Sequence, residues 1–185
     1  DSPDNLEAMN LTSASPSEDR VLAYLREHAV TFQRCEHPAV FTVAQAEELV
    51  PTLPGAKAKN LFLRDVHSQR LFLVVVPYAK RVDLAGLARA LGLRKLTFGA
   101  PEALLSLLGV TPGAVSLLGL LHDRDRQVQL VIDAATWAAP ALQCHPGVNT
   151  ATVSIAHADL QRFLQATGHE PTVMDVPARA EDAAG

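Results

Sequence analysis

The sequence predicts an α+β fold: a single compact domain in which helices surround a mixed, largely antiparallel sheet. Apolar strand-like runs come in pairs joined by short polar turns, as in hairpins. Helix-like segments lie among these pairs without regular βαβ alternation, which argues against an all-parallel sheet. The length of 185 residues and the hydrophobic content of 48% suit one domain with a substantial core.

The first half of the chain carries two predicted helices, a strand and a hairpin. Apolar residues recur at helical spacing over 18–29, and 31–37 is a candidate strand. Thr42 and Gln45 form a capping-box pattern that predicts a second helix. The apolar runs 60–65 and 70–77, separated by "VHSQ", predict a hairpin.

The second half repeats these element types. Short helices are predicted over 83–92 and 101–109, each ending at a glycine. A second hairpin is predicted from 114–123 and 127–134 around the charged "RDR". A final strand over 149–155 precedes a last helix over 157–168.

Composition divides the chain into a folded domain and two tails. We expect flexible tails over 1–17 and 172–185, because both are rich in Ala, Ser, Pro and acidic residues, and a domain over 18–171. The net charge of −4 hides an uneven distribution: residues 1–19 carry −5, residues 170–185 carry −3, and the middle carries +4. A mildly basic domain permits a few phosphate contacts, although ordinary surface charge would look the same.

Several functional classes find no support in the sequence. No apolar run approaches the roughly 20 residues that cross a bilayer, and the acidic start does not look like a signal peptide. The two cysteines are too few for a disulfide scaffold, which favours the reducing cytoplasm. Histidines are scattered without metal-ligand spacing, and no P-loop or GxGxxG motif is present, so neither a metal nor a cofactor is expected.

Cys144, followed by His145, raises the question of a thiol nucleophile. Adjacent strand residues point to opposite faces, so the two side chains would not form a catalytic pair. Cys35, with His37 nearby, raises the same question. A buried structural cysteine is the favoured interpretation of Cys144, and a cysteine-dependent hydrolase stays open as an alternative.

Three polar segments lie at the ends of apolar strands. They are Lys59–Asn60, the Gly-containing turn over 111–119, and the run "HPGVNTAT" over 145–152. Each has an ordinary explanation: a snorkelling lysine, a capping asparagine, a satisfied loop histidine. Together they predict a shared cleft.

Six stretches of the chain resemble the YbaK-like family of aminoacyl-tRNA editing domains, most closely the freestanding alanyl-tRNA(Pro) deacylases. They are "EHPAVFTVAQAEEL", "GAKAKNLFLRD", "KRVDLAGLARALG", "LTFGAPEALLSLLGVTPGAVSLLGL", "HPGVNTATVSI" and "DLQRFLQATGHEP". The similarity spans residues 18–171. It implies a compact fold around a curved sheet, and a cleft that receives the 3′ end of tRNA.

The resemblance implies a trans-editing hydrolase. Prolyl-tRNA synthetase mischarges tRNA(Pro) with alanine, and such proteins release the alanine by water attack on the ester, with the terminal ribose hydroxyl helping to position the water. The implied partner is the acceptor end of tRNA(Pro), with prolyl-tRNA synthetase or an elongation factor as candidate protein partners and no membrane. The alternative is a catalytically weak or inactive paralogue that binds tRNA or a nucleotide.

The resemblance also assigns roles to residues. The implied catalytic positions are Lys59, Asn60 and His145. The implied substrate-binding positions are Gly113, Ala114, Val115, Ser116, Leu117, Gly147, Asn149 and Thr150. As acceptor-stem contacts we expect Lys57, Arg64, Lys80 and Arg81.

One position departs from the family pattern. The loop usually reads Gly-x-x-x-Pro, and here Leu117 stands where the proline would be. Proline fixes φ and removes an N–H, so this change bears on loop rigidity and pocket shape. Val115, Leu117 and Leu118 are the candidates for shaping a pocket that excludes proline.

Overall fold

The computed structural model describes residues 15–39 and 53–180. Its helices are α1 (Pro16–Glu27), α2 (Leu84–Ala90), α3 (Pro101–Leu108), α4 (Ala134–Trp137) and α5 (His157–Thr167). Its strands are β1 (Gln33–Glu36), β2 (Ala58–Asp65), β3 (Leu71–Pro77), β4 (Leu96–Phe98), β5 (Val128–Asp133), β6 (Ala141–Cys144), β7 (Ala151–Ala156) and β8 (Thr172–Met174). Two 3₁₀ helices cover Pro112–Ala114 and Leu117–His122. In these ranges no helix is long and apolar enough to cross a membrane.

The strands form two sheets, which confirms the α+β class. One sheet is antiparallel in the order β1-β7-β6, and the other is mixed in the order β4-β2-β3-β5-β8. The predicted hairpin is present: β2 and β3 pair antiparallel, with Asn60 opposite Val75 and Phe62 opposite Leu73. The sequence had indicated one sheet rather than two.

Apolar cores lie on both faces of the five-stranded sheet. The larger core fills the space between the two sheets and includes Phe62 and Val75 from one sheet and Val153 from the other. The smaller core, built on Leu63, lies on the opposite face and is covered by α2 through Leu87. This explains why β2 and β3 show continuous apolar runs rather than alternation.

The ends of several helices are capped, and two of these caps are glycines that the sequence predicted. The Ser15 hydroxyl accepts a hydrogen bond from the N–H of Glu18 (3.2 Å) at the start of α1. Gly109 and Gly168 adopt the left-handed conformation after α3 and α5 (φ 66° and 78°), as expected of C-terminal glycines. The helix predicted from Thr42 lies outside the described residues.

The second predicted hairpin is wrong. Leu117–His122 is a 3₁₀ helix, and β5 pairs in parallel with β3 and β8 instead. The Ser116 hydroxyl starts this helix by accepting from the N–H of Leu118 (3.2 Å). Gly119 then lies so close to α3 that a Cβ would be 2.7 Å from the carbonyl oxygen of Leu108. A short apolar run of this kind does not distinguish a strand from a buried helix by periodicity.

The folded part of the chain extends past residue 171, where the sequence placed the start of a flexible tail. Residues Thr172–Met174 pair with β5, and Val176 is only 2% exposed. The Lys80 ammonium lies 2.7 Å from Asp133 Oδ2 and donates to the carbonyl of Val176 (2.9 Å). This lysine therefore fastens the segment after β8 to the end of β5.

Replacing Lys80 should destabilise the domain. The Asp133 side chain is 2% exposed, so Lys80→Met would leave a buried carboxylate without its cation. We expect the free energy of unfolding to fall by about 2–4 kcal/mol in urea denaturation. Arg89→Met, which removes an exposed cation from α2, should change it by less than about 0.5 kcal/mol. Equal free energies of unfolding for the two variants would contradict a stabilising role for the contact between Lys80 and Asp133.

Candidate active site

The three polar segments predicted at strand ends meet in one cleft of about 470 Å³. Its lining residues come from the start of β2, the end of β3, the loop after α3 and the loop after β6: Ala58, Lys59, Asn60, Tyr78, Pro112, Gly113, Val115 and His145. The volume lies in the range of small-molecule sites. All three predicted catalytic positions thus line a common cavity.

Asn60 is oriented by the loop that faces it. Its side-chain oxygen Oδ1 accepts a hydrogen bond from the backbone N–H of Leu117 (3.0 Å). Because an N–H can only donate, this contact decides which end of the amide is the oxygen. The Nδ2 group makes no hydrogen bond with the described residues, so the amide offers the cleft a donor.

Leu117 acts here through its backbone. It is the first residue of its 3₁₀ helix, where a proline would be tolerated, and Ser116 before it is extended (φ −154°, ψ 146°) as a residue preceding proline must be. A proline at this position would have no N–H for Asn60. Leucine at this position therefore supplies a hydrogen bond that a proline could not make, and this bond fixes the Asn60 side chain in the cleft.

The loop presents fewer side chains to the cleft than the sequence suggested. Gly113 and Val115 line it. Ala114, Ser116 and Leu117 are buried, at 5%, 1% and 0% exposure. Leu118 is also fully buried in the larger core. Of the three residues expected to shape a selective pocket, only Val115 borders the cavity.

His145 is held as a neutral hydrogen-bond acceptor. Its Nδ1 lies 3.1 Å from the carbonyl oxygen of Ala151, which can only accept, so Nδ1 carries the proton. Burial lowers the pKa of His145 below 6.5, the nearby His37 lowers it further, and the Ala151 carbonyl partly opposes the shift. The neutral ring therefore has its lone pair on Nε2.

His37 is a neighbour that sequence reasoning did not include in the site. Its ring centroid lies 6.4 Å from that of His145. Nδ1 donates to the carbonyl of Pro38 (2.8 Å), and Nε2 lies 2.8 Å from the hydroxyl of Thr152. Its position after β1 is visible in the sequence, but its proximity to His145 follows from the pairing of β1 with β7.

The remaining residues of the 145–152 loop lie outside the cleft lining. Gly147 (φ 79°) packs on α1, where a Cβ would be 3.1 Å from the carbonyl oxygen of Ser17. Thr150 is exposed, and its carbonyl accepts from the N–H of His37 (3.0 Å). Asn149 is half-buried. The loop's contribution to the cavity is His145 alone.

The four expected acceptor-stem contacts do not form one cluster. Lys57 is exposed beside the cleft, where its carbonyl accepts from the N–H of Tyr78 (3.1 Å), and Arg81 is also exposed. Lys80 is instead engaged with Asp133. Arg64 lies five residues along β2 from Lys59, about 17 Å away, where it contacts Gln69.

Both cysteines are poorly suited to nucleophilic catalysis. Cys144 is 4% exposed, and burial raises the pKa of its thiol to about 12. Burial also raises the pKa of Cys35. The reactive thiolate is therefore disfavoured at both positions, and neither thiol lines the cleft.

Among the described residues that line the cleft, none carries a carboxylate. The polar side-chain groups of these described residues are the Lys59 ammonium, the Asn60 amide donor, the His145 acceptor and the Tyr78 hydroxyl. Within 15–39 and 53–180, no group of three or more His, Cys, Asp and Glu residues is placed to hold a metal ion.

Comparison with known proteins decides the family. The model of the aminoacyl-tRNA editing domain matches residues 37–163. The chain belongs to this family.

Relatives and solved structures agree with this membership. The chain is 32% identical to the prolyl-tRNA editing protein ProX of Acetoanaerobium sticklandii over 153 residues, which covers 83% of this chain and 93% of ProX. It is 40% identical to the prolyl-tRNA synthetase associated domain-containing protein 1 of Danio rerio over 141 residues, 75% and 76% of the two chains. A solved structure described as a candidate trans-editing enzyme for prolyl tRNA synthetase shares the fold, with a TM-score of 0.66 at 23% identity over 90% of this chain and 100% of the other.

The Asn60–Leu117 hydrogen bond can be tested without an activity assay. Asn60→Ala should speed hydrogen exchange of the Leu117 amide about tenfold, because the N–H loses its acceptor, whereas Asn60→Asp should retain protection. The Leu118 amide, which donates to Ser116, should be unchanged and serves as the internal control. NMR exchange rates measure both amides. Unchanged Leu117 exchange in Asn60→Ala would contradict the assigned contact.

Proposed function

We propose that this protein is a trans-editing hydrolase that releases alanine from mischarged alanyl-tRNA(Pro). The observation that carries the proposal is the fixed polarity of the cleft: a donor from Asn60 and an acceptor from His145 line one cavity together with Lys59. Family membership and the relatives named for prolyl-tRNA editing and prolyl-tRNA synthetase support the substrate.

The proposed reaction is direct water attack on the aminoacyl ester. An ester is already activated, so catalysis requires a positioned water and donors for the developing oxyanion. Asn60 Nδ2 is suited to the carbonyl oxygen, assisted by backbone N–H groups of the loop near Gly113. His145 Nε2 is suited to accept a proton or hydrogen bond from the water, which the 2′ or 3′ hydroxyl of the terminal ribose helps to place.

Lys59 is assigned a positioning role. Its ammonium would contact phosphate or ribose oxygens at the 3′ end of the tRNA, a charge-assisted interaction. Lys57, exposed beside the same strand, would add a second contact.

Selectivity against proline is assigned to steric exclusion. Missing methylenes change binding by only about 1–3 kcal/mol, so a synthetase pocket built for proline admits alanine. A second, smaller site in the editing protein has the opposite preference: it admits alanine and excludes the larger proline ring. Val115, Ala58 and Pro112 are the apolar side chains that border the cavity and could set its size.

The setting of the reaction follows from the substrate. We place it in the cytoplasm, with the acceptor end of tRNA(Pro) as the partner. Prolyl-tRNA synthetase or an elongation factor would deliver the mischarged tRNA. A paralogue that binds tRNA without hydrolysing it is the outcome to be separated by experiment.

A panel of aminoacyl-tRNAs tests the proposal. Alanine, serine, cysteine and proline are each placed on tRNA(Pro), and alanine on tRNA(Ala), and release of the amino acid is followed over time. Alanyl-tRNA(Pro) should be cleared fastest and prolyl-tRNA(Pro) spared. Lys59→Ala and Asn60→Asp should each lower kcat/KM about 10²–10³-fold, because the first removes a positioning charge and the second replaces the donor with an acceptor.

Gln127→Glu, the same amide-to-carboxylate change at an exposed position outside the cleft, is the matched control and should retain full activity. Binding of tRNA without release of any amino acid would favour the inactive paralogue. Wild-type rates in Lys59→Ala would remove Lys59 from the mechanism.

The pH dependence should report His145. The ring accepts only when neutral, and its lowered pKa keeps it neutral to more acidic pH than an ordinary histidine. After subtraction of the spontaneous hydrolysis, kcat/KM should reach a plateau toward neutral and basic pH and should fall on the acid side with a midpoint below 6.5. His145→Ala should lose most of the activity, and its residual rate should lack this acid limb. Full activity in His145→Ala would make the histidine structural.

A further inference from the structure

We propose that Tyr78 is the platform on which the terminal base of the tRNA stacks, a proposal that rests on the function proposed above. Tyr78 lines the cleft but was not among the residues indicated by the sequence. Four observations lead to this role: its position across from two lysines, its rigid backbone, a ring without a partner among the described residues, and the separation of the two sides of β2.

Tyr78 follows β3 and lies across from the two lysines at the start of β2, Lys57 and Lys59. Its N–H donates to the carbonyl of Lys57 (3.1 Å), which extends the β2–β3 ladder by one residue beyond the pair Ala58–Pro77. Residues directly opposite in a ladder share a face, and so do residues two apart on one strand. The aromatic ring is therefore the cross-strand neighbour of Lys57 and the diagonal neighbour of Lys59.

The backbone that carries Tyr78 is held on both sides. The N–H of Lys80 donates to the carbonyl of Pro77 (3.0 Å), closing a turn around Tyr78. The Lys80 side chain is anchored in turn by Asp133 and the Val176 carbonyl. A ring on such a turn is preorganised, which lowers the entropy lost when a base stacks on it.

The Tyr78 side chain has no partner within the described part of the protein. It makes no ring contact and no side-chain hydrogen bond there, although it is half-buried. Tyr24, by comparison, stacks on His28 and meets Phe163 edge-on. Buried or half-buried tyrosines normally satisfy both the ring and the hydroxyl. Tyr78 thus presents an aromatic surface to the cleft.

The two sides of β2 divide the substrate. Neighbouring strand residues point to opposite faces, so Asn60 lies on the side of the 113–117 loop while Lys59 and Tyr78 share the other. In this arrangement the ester of the substrate lies next to Asn60, and the terminal base of the tRNA lies on the Tyr78 ring. An aromatic ring on which a base stacks, beside ammonium groups that contact the backbone, is a pattern by which proteins bind single-stranded nucleic acid.

The test uses an uncharged acceptor-stem RNA ending in CCA, with 2-aminopurine in place of the terminal adenine. Binding to the intact protein should quench the fluorescence of this base because it stacks. Tyr78→Leu should weaken binding roughly 5- to 150-fold and abolish the quenching, the range found when stacked aromatics are removed. Tyr78→Phe, which keeps the ring, should bind within about twofold of wild type.

Two controls separate stacking from other effects. Phe98→Leu removes an aromatic side chain that is 62% exposed on β4, away from the cleft, and should leave binding unchanged. The second control is an RNA whose terminal nucleotide lacks its base. The wild-type protein should bind this RNA more weakly than the intact RNA. Tyr78→Leu should bind the two RNAs equally well.

Tight, quenched binding by Tyr78→Leu would overturn the stacking role while leaving the proposed hydrolase intact. An equal penalty for Tyr78→Leu on RNA with and without the terminal base would also overturn it, since the ring would then act only on the fold. Wild-type protein that binds none of the RNAs would overturn both proposals.

Discussion

The site depends on one hydrogen bond, from the backbone N–H of Leu117 to Oδ1 of Asn60. It joins the start of β2 to the loop after α3, two segments separated by more than fifty residues in the chain. It also decides which end of the Asn60 amide faces the loop, because the backbone N–H of Leu117 can only donate and its partner must be the amide oxygen. A strand end, a loop and a side-chain dipole are thereby fixed together, which is what a preorganised oxyanion site requires.

The rest of the cleft complements this donor. The Ala151 carbonyl fixes the proton of His145 on Nδ1, and burial keeps the ring neutral by lowering its pKa. Lys59 supplies positive charge, and none of the described residues in the lining supplies negative charge. The donor and the cation are neighbours on β2, whereas the acceptor follows β6 in the other sheet, so the arrangement exists only when the two sheets and the loop after α3 are assembled. A covalent route through Cys144 is disfavoured because burial raises the pKa of its thiol to about 12.

Much of this could be predicted from the sequence. Continuous apolar runs around a polar turn indicated the β2–β3 hairpin, left-handed glycines marked helix ends, and polar residues at strand ends indicated the cleft. What could not be predicted depends on tertiary contacts. The run at 117–122 is apolar in any conformation, and the close approach of Gly119 to Leu108 selects the 3₁₀ helix. The short strand β8 is held by Lys80 and Asp133, whose pairing no local pattern reveals. Tyr78 enters the site only because its backbone pairs with Lys57.

A crystal structure with a non-hydrolysable alanyl-adenosine, in which an amide replaces the ester, tests the central claim most directly. The account predicts the alanyl carbonyl oxygen within hydrogen-bonding distance (about 3 Å) of Asn60 Nδ2 while Oδ1 still accepts from Leu117. A ligand bound away from Asn60 would contradict the account. So would an amide rotated to break the bond to Leu117, since the polarity of the cleft would then not be fixed in advance by the fold.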